Sequence, residues 1–246
     1  MTKTATEYGN LLDYKTLLLL FPGIKKENMH EKLIILPLFQ GMSKADIETA
    51  LGKIKLREKS ICKNTKIVES GQNCRGVFFL VEGTLEMETI SEDGKIRVTE
   101  VTPEPYILEI ERLFGLQQRY LSTYTTRSQC KFLYARKDDI LYLLNENIVF
   151  RLNVLNILST LSQRRNLKLW TTTSSETESH IIRFIHQHCR LQIGRKTIYI
   201  KMNSLAEAIH ASRIEVSVAL NKMNNERRIV LQRGIITIPE ISQLNY

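Results

Sequence analysis

Residues 200–223, IKMNSLAEAIHASRIEVSVALNKM, decide how the whole chain is read. Leu205 and Ile209 lie four apart, the pattern breaks at His210-Ala211-Ser212, and apolar positions resume at Val216, Ala219, Leu220 and Met223. That spacing predicts one helical face, a tight corner and a second helical face. Ser212 stands where an N-cap belongs, its hydroxyl placed to take a backbone N–H of the following turn. Ala206 and Ala211 are small enough to let the two helices approach closely at the corner. Arg213, Ile214, Ser217, Val218 and Asn221 fall off the apolar face of the second helix. The stretch is therefore either a plain helical hairpin or a helix-turn-helix that offers the start of its second helix to a DNA major groove.

The residues just beyond it favour DNA. After Asn224-Asn225-Glu226 come Arg227-Arg228, then Ile229-Val230-Leu231, Gln232-Arg233-Gly234 and Ile235-Ile236-Thr237-Ile238 before Pro239. Two β-rich runs around a glycine-bearing turn predict a hairpin with a basic tip. A helix-turn-helix followed by such a hairpin is a winged helix.

A chain of 246 residues holds one large domain or two ordinary ones. Its formal net charge is +9 and the excess is uneven: residues 171–246 carry ten basic and six acidic side chains, against 25 and 20 in the longer remainder. A modest basic excess suits phosphate neutralisation, and equally a solvated basic surface. Cys62, Cys74, Cys130 and Cys189 form no C-x-x-C pair, which argues against a zinc ribbon or a closely ligated iron–sulfur cluster and for free thiols. The apolar run Leu17–Phe21 stops at Pro22-Gly23, far short of a bilayer span, and its flanks do not resemble a secretion signal. A soluble, cytoplasmic protein with no membrane partner is the expectation.

Residues 1–30 read as an extension with a short helix around Leu11–Leu20. From Glu31 to Leu51 the pattern is helical in two pieces broken at Pro37 and Gly41, with Ser43 capping the second. Residues 31–136 make the first domain, and from Ile54 onward it is strand-rich. Lys66–Glu69, VFFLVEGTLEMETI, Ile96–Val98 and Tyr120–Arg136 are short β-type runs separated by turn signals. Among those signals Ser91-Glu92-Asp93-Gly94 is a hairpin turn. Many short strands with regular turns indicate an antiparallel sandwich or barrel.

Residues 137–170 return to helical period, with Asp138 or Asp139 capping a short helix before a long one that reaches about Trp170. The long helix carries two apolar seams, Phe150, Val154, Ile157 and Leu161 on one and Ile148, Leu152 and Leu155 on the other. One seam facing its own domain and one facing a second copy of the chain accounts for both, and the first is assigned here to the dimer. A helix buried inside a single large core is the alternative. Thr171–Ser175 predicts a polar hinge, and the third part, residues 171–246, begins with a helix over Glu178–Arg190 that buries Ile181, Ile182 and Ile185.

Strand-rich domain, long apolar helix, polar hinge and winged helix in that order resemble the Crp/Fnr family of bacterial transcription factors. The resemblance covers roughly residues 31–240. It is most specific in VFFLVEGTLEMETISEDGK and SLAEAIHASRIEVSVALNKM, with Gly71, Gly83 and Gly94 at the family's turn positions. It implies an α+β fold: an antiparallel jelly roll of the cyclic-nucleotide-binding type, a long dimerisation helix and a C-terminal winged helix. It also implies a non-enzymatic, homodimeric regulator reading a palindrome, with double-stranded DNA, a second copy and RNA polymerase as partners.

Carried onto this sequence, the family's Ser-Arg pair is Ser212-Arg213. Arg213 is the candidate for a bidentate contact to guanine, with Ile214, Ser217, Val218 and Asn221 facing the other bases. Ile214 and Val218 can touch a thymine methyl but cannot hydrogen-bond a base edge, so the operator should differ from that of the cyclic-AMP-dependent members. Ser212, Lys201, Asn203 and Arg233 are phosphate candidates, each of which is otherwise a solvated side chain.

The effector motif departs further. Cyclic-AMP-binding members carry Gly-Glu-Leu and a downstream Arg-Ser. Here Glu109 matches, Leu108 replaces the glycine, and the Arg-Ser position reads Tyr120-Leu121 when aligned on Leu113-Phe114. Arg119 then lies one residue off and faces the other way, although alignment on Glu109 brings it into register. Glu109, Arg119, Tyr120 and Leu121 are thus the effector-pocket candidates, and no cofactor is assigned. Tight binding of cyclic AMP is not expected, chiefly because the glycine is missing. Isothermal calorimetry should show no saturable micromolar heat.

Two other classes remain. A signalling module without DNA activity would bind an effector and protect no operator, and a metal-dependent β-barrel enzyme would retain stoichiometric metal. None of His30, His180, His186, His188 and His210 lies in the β-rich segment, which argues against the enzyme.

Overall fold

The computed structural model describes residues 29–170 and 176–244. The helix expected at Leu11–Leu20 and the hinge expected at Thr171–Ser175 lie outside them. The chain forms two compact units, Met1–Leu85 with Pro103–Leu161, and Glu86–Thr102 with Ser162–Tyr246.

In the first unit α1 (Met29–Ile34) leads through a 3₁₀ turn at Pro37–Phe39 to α2 (Lys44–Lys53). Ser43 caps α2 as its sequence position predicts: its hydroxyl accepts the Asp46 N–H, and the Asp46 carboxylate accepts the Ser43 N–H. Strands β1 (Arg57–Ile61), β2 (Lys66–Val68) and β3 (Gly76–Glu82) come after it. The next hairpin is β4 (Leu85–Ile90) and β5 (Ile96–Val101), after which the chain continues with β6 (Tyr106–Ile107), β7 (Thr123–Thr126) and β8 (Cys130–Arg136).

Four of these strands make an antiparallel sheet in the order β1-β8-β3-β6, and β2 pairs with β7. Gly71, Gly83 and Gly94 all take positive φ. At Gly83 a β-carbon would also lie 2.6 Å from the Gln129 carbonyl and 2.7 Å from Cys130 Sγ, so only glycine fits that crossing.

Helices α3 (Lys137–Glu146) and α4 (Ile148–Trp170) come next. Asp139 accepts the Arg136 N–H at the start of α3. Phe150, on α4, meets Phe39 edge-on at 5.2 Å, and Asn153 Nδ2 donates to the carbonyls of Leu38 and Gln40. Phe150 and Val154 are buried by their own unit, and Ile157 and Leu161 are half-buried. Phe150 and Val154 of the seam assigned to the dimer therefore face their own unit, while Ile157 and Leu161 keep part of their surface open. The exposed seam is the other one, with Ile148 58 %, Leu152 50 % and Leu155 52 % exposed. Periodicity shows both seams equally; the aromatic contact to Phe39 decides which one faces home.

The second unit contains α5 (Thr177–His188), β9 (Lys196–Ile200), α6 (Met202–Ala208), α7 (Arg213–Asn225), β10 (Val230–Gln232) and β11 (Ile235–Ile238). Ile181, Ile182 and Ile185 are buried as expected. Residues 86–102, read from the sequence as part of the β-rich domain, group instead with this unit. Strand β5 pairs antiparallel with β9 from Ile96↔Ile200 to Glu100↔Lys196, giving the order β10-β11-β9-β5-β4. Val98 enters the core beneath α5 and α7, and the Arg97 guanidinium lies 3.9 Å over the Tyr199 ring.

At the foot of this pairing Glu100 and Lys196 are both fully buried, with Nζ 3.2 Å from Oε1. Glu100 also accepts the N–H groups of Arg190 and Leu191, and Lys196 donates to the Ile193 carbonyl. Each charge is thus paired and hydrogen-bonded, the condition under which buried charges are tolerated.

Candidate nucleic-acid interface and effector site

Two backward caps shape the helix pair. His210 takes φ 54, and the Ala211 N–H reaches back to the Ala206 carbonyl while the His210 N–H reaches Glu207. This closes α6 with a left-handed residue and turns the chain sharply. Arg227 (φ 60) ends α7 the same way, with Arg228 N–H on the Met223 carbonyl. Between them Ser212 caps α7: its Oγ accepts the Glu215 N–H at 3.2 Å, and Glu215 accepts the Ser212 N–H at 2.8 Å. Hydrogen bonds donated by Ser212 to the carboxylate, from its hydroxyl foremost and its backbone N–H second, hold the Glu215 carboxyl below its ordinary value. The contribution of this box is therefore complete above the ordinary carboxylate range and is lost as pH falls through the depressed value. Ser212→Ala should cost about 1 kcal/mol in thermal or chemical unfolding of the full chain.

Helix α7 is divided cleanly. Val216, Ala219, Leu220 and Met223 are buried, and Arg213, Asn221, Ile214 (76 %) and Val218 (64 %) are exposed, with Ser217 half-buried. Asn221 Nδ2 lies 3.5 Å from Ser217 Oγ. Lys201 precedes α6, Asn203 lies in its first turn, and Arg233 sits at the β10–β11 turn; all three are exposed. Glu178 ties α5 to this end of the unit, accepting from Lys222 at 2.9 Å and from Arg228.

The effector-pocket candidates separate. Glu109 is buried, and its carboxylate accepts the Leu121 N–H at 2.7 Å. Arg119 is exposed and donates to the Gly71 carbonyl at 3.0 Å. Tyr120 is buried with its hydroxyl on the Gly76 carbonyl, and burial pushes that phenol well up. Leu121 enters through its backbone alone. Arg112, Ser122 and Tyr124, which the sequence reading missed, also surround Glu109. Backbone N–H donors have no residue signature, so only the fold reveals them.

His186 and His188 are held by hydrogen bonds to Gln192, Leu244 and Phe184. Among the described residues no group of histidine, cysteine and carboxylate side chains has the arrangement of a metal site, and no helix is long and apolar enough to cross a membrane.

Residues 58–147 match the family model of the cyclic nucleotide-binding domain. No protein of curated function matches the sequence. Among solved structures, the Catabolite Activator Protein of Thermus thermophilus is similar at 17 % identity over 85 % of this chain and 96 % of that one, with a TM-score of 0.50. DNR from Pseudomonas aeruginosa is similar at 19 % identity over 90 % and 98 %, with a TM-score of 0.45. The sensor domain of that transcriptional regulator gives 18 % identity over 59 % and 96 %, with a TM-score of 0.48. At these identities the likeness is one of architecture: the chain has a cyclic-nucleotide-binding-type β domain and shares the fold of the Thermus activator.

Proposed function

We propose that this chain is a sequence-specific DNA-binding transcription regulator of the Crp/Fnr type, acting as a homodimer on a palindromic operator without dependence on cyclic AMP. The observation that carries the reading is the exposed face of α7. An arginine and two large apolar side chains stand in water at the start of a helix whose other face is core. Such a face costs solubility and is explained by a partner that offers hydrogen-bond acceptors beside methyl groups, as the major groove does. In this reading residues 196–238 form a winged helix, with Lys201, Asn203, Ser212 and Arg233 on phosphates. Each copy reads one half-site, the two about one helical turn (roughly 34 Å) apart.

The second copy is proposed to pack on Ile148, Leu152 and Leu155, the seam of α4 left exposed. Leu155→Glu should then weaken the dimer by at least about 2 kcal/mol, roughly thirtyfold, while far-ultraviolet circular dichroism stays unchanged. Sedimentation of the variant as a dimer at the parent's concentration would remove this seam from the interface.

Selection of bound sequences from a random DNA pool tests the function itself. A recovered inverted repeat supports the proposal. Recovery of no consensus, with the protein folded, would sink it.

A further inference from the structure

Glu109 is 1 % exposed and sits in the left-handed region at φ 38 and ψ 51, a conformation that a residue with a β-carbon adopts only when its surroundings impose it. Leu108 and Ile110 on either side are buried as well, so the segment is pinned. The carboxylate is the focus of donors from elsewhere in the same unit. Oε2 accepts the Leu121 N–H at 2.7 Å, and Oε1 accepts the Ser122 N–H at 3.0 Å and the Tyr124 hydroxyl at 3.3 Å. Arg112 Nε stands 4.0 Å from Oε2, buried and without a hydrogen bond. Consecutive backbone N–H groups, a hydroxyl and a guanidinium converging on one point are the chemistry that receives an oxyanion.

We infer that the first unit holds an oxyanion receptor whose resident anion is its own Glu109 carboxylate, so that the anionic group of a small ligand, phosphate or carboxylate, enters only when that side chain leaves. Glu109 is an intramolecular ligand. Its tether gives it a high effective concentration at the donors, which a free anion must outcompete. The unit is thereby set in its anion-filled state without an effector. The inference deepens the reading of this unit as one that needs no cyclic AMP. Its test uses anion binding to the purified full chain, so it stands or falls separately from DNA recognition.

Emptying the receptor tests it. Glycine tolerates the left-handed backbone and removes the carboxylate, so Glu109→Gly is the main variant; Glu109→Asn keeps an uncharged acceptor in a residue that also visits that region. Thermal unfolding is followed through a formate titration, with sodium chloride at matched ionic strength as control. E109G should be stabilised by formate and not by chloride along the single-site linkage curve, its unfolding constant falling about tenfold when formate reaches ten times its dissociation constant. Wild type should not respond, and E109N should respond less than E109G. Equal responses of wild type and E109G, or no formate-specific response of E109G, overturn the inference. If E109G folds only when refolded in formate, the inference is supported. If it folds in neither medium, a formate-specific response of E109N still supports it, whereas an indifferent E109N or the failure of both variants to fold overturns it.

Discussion

Glu100→Ala is expected to lower the stability of the second unit by about 3–5 kcal/mol, the penalty for stranding a fully buried partner charge. Alanine removes the carboxylate that faces Lys196 Nζ and, with it, the acceptor for the Arg190 and Leu191 N–H groups. Among the described residues the ammonium then keeps the Ile193 carbonyl as its hydrogen-bond acceptor, with the Glu240 carboxylate close enough to interact through charge. Because Glu100 lies on β5, the loss should also loosen that strand from β9. Amide hydrogen exchange along Ile96–Glu100 should therefore rise more than exchange in the buried face of α7. The decisive comparison is the double variant Glu100→Leu/Lys196→Met, which replaces two buried charges with apolar volume and should recover most of the lost stability. A single Glu100→Ala variant as stable as the parent would mean that the pair is hydrated in solution.

Arg213→Ala should weaken binding to the selected operator by about 1–3 kcal/mol, roughly five- to 150-fold, and relax preference at one base pair of each half-site. Arg213 is exposed at the first position of α7 and its backbone is fixed by the Ser212–Glu215 box, so truncation should leave the fold and the dimer unchanged. Lys201→Ala and Arg233→Ala should behave differently. Each should weaken all sequences alike and reduce the magnitude of the salt slope by about one for every phosphate no longer neutralised. An unchanged footprint for Arg213→Ala would move the base-reading role elsewhere on the helix. A uniform loss would make Arg213 a phosphate contact.

The parts of this fold that were legible in the sequence are those decided by near neighbours. The boxes at Ser43–Asp46 and Ser212–Glu215 are written three residues apart, and the buried face of α7 comes from its period. What escaped was decided at long range. Ile96 and Val98 alternate with polar residues in a way that suits either unit, and only the pairing with β9 assigns them. Glu100 and Lys196, met separately in the sequence, look like solvated charges. On α7 the outward placement of Arg213, Ile214, Val218 and Asn221 was legible, and Ser217 is half-buried, because a helix with one apolar stripe leaves most of its remaining positions to water. The surroundings of Glu109 were only half legible, since two of its donors are main-chain groups and the third, Tyr124, is brought to it by the fold.

The excursion of residues 86–102 into the second unit bears on modularity. The chain passes between units at 85/86, at 102/103 and at 161/162, so no single cut frees an intact C-terminal piece. A fragment cloned from residue 162 onward would lack two strands and would expose the edge of β9 together with an unmatched lysine. Such an edge invites aggregation. Moving the second unit into another protein would require transplanting the hairpin along with it.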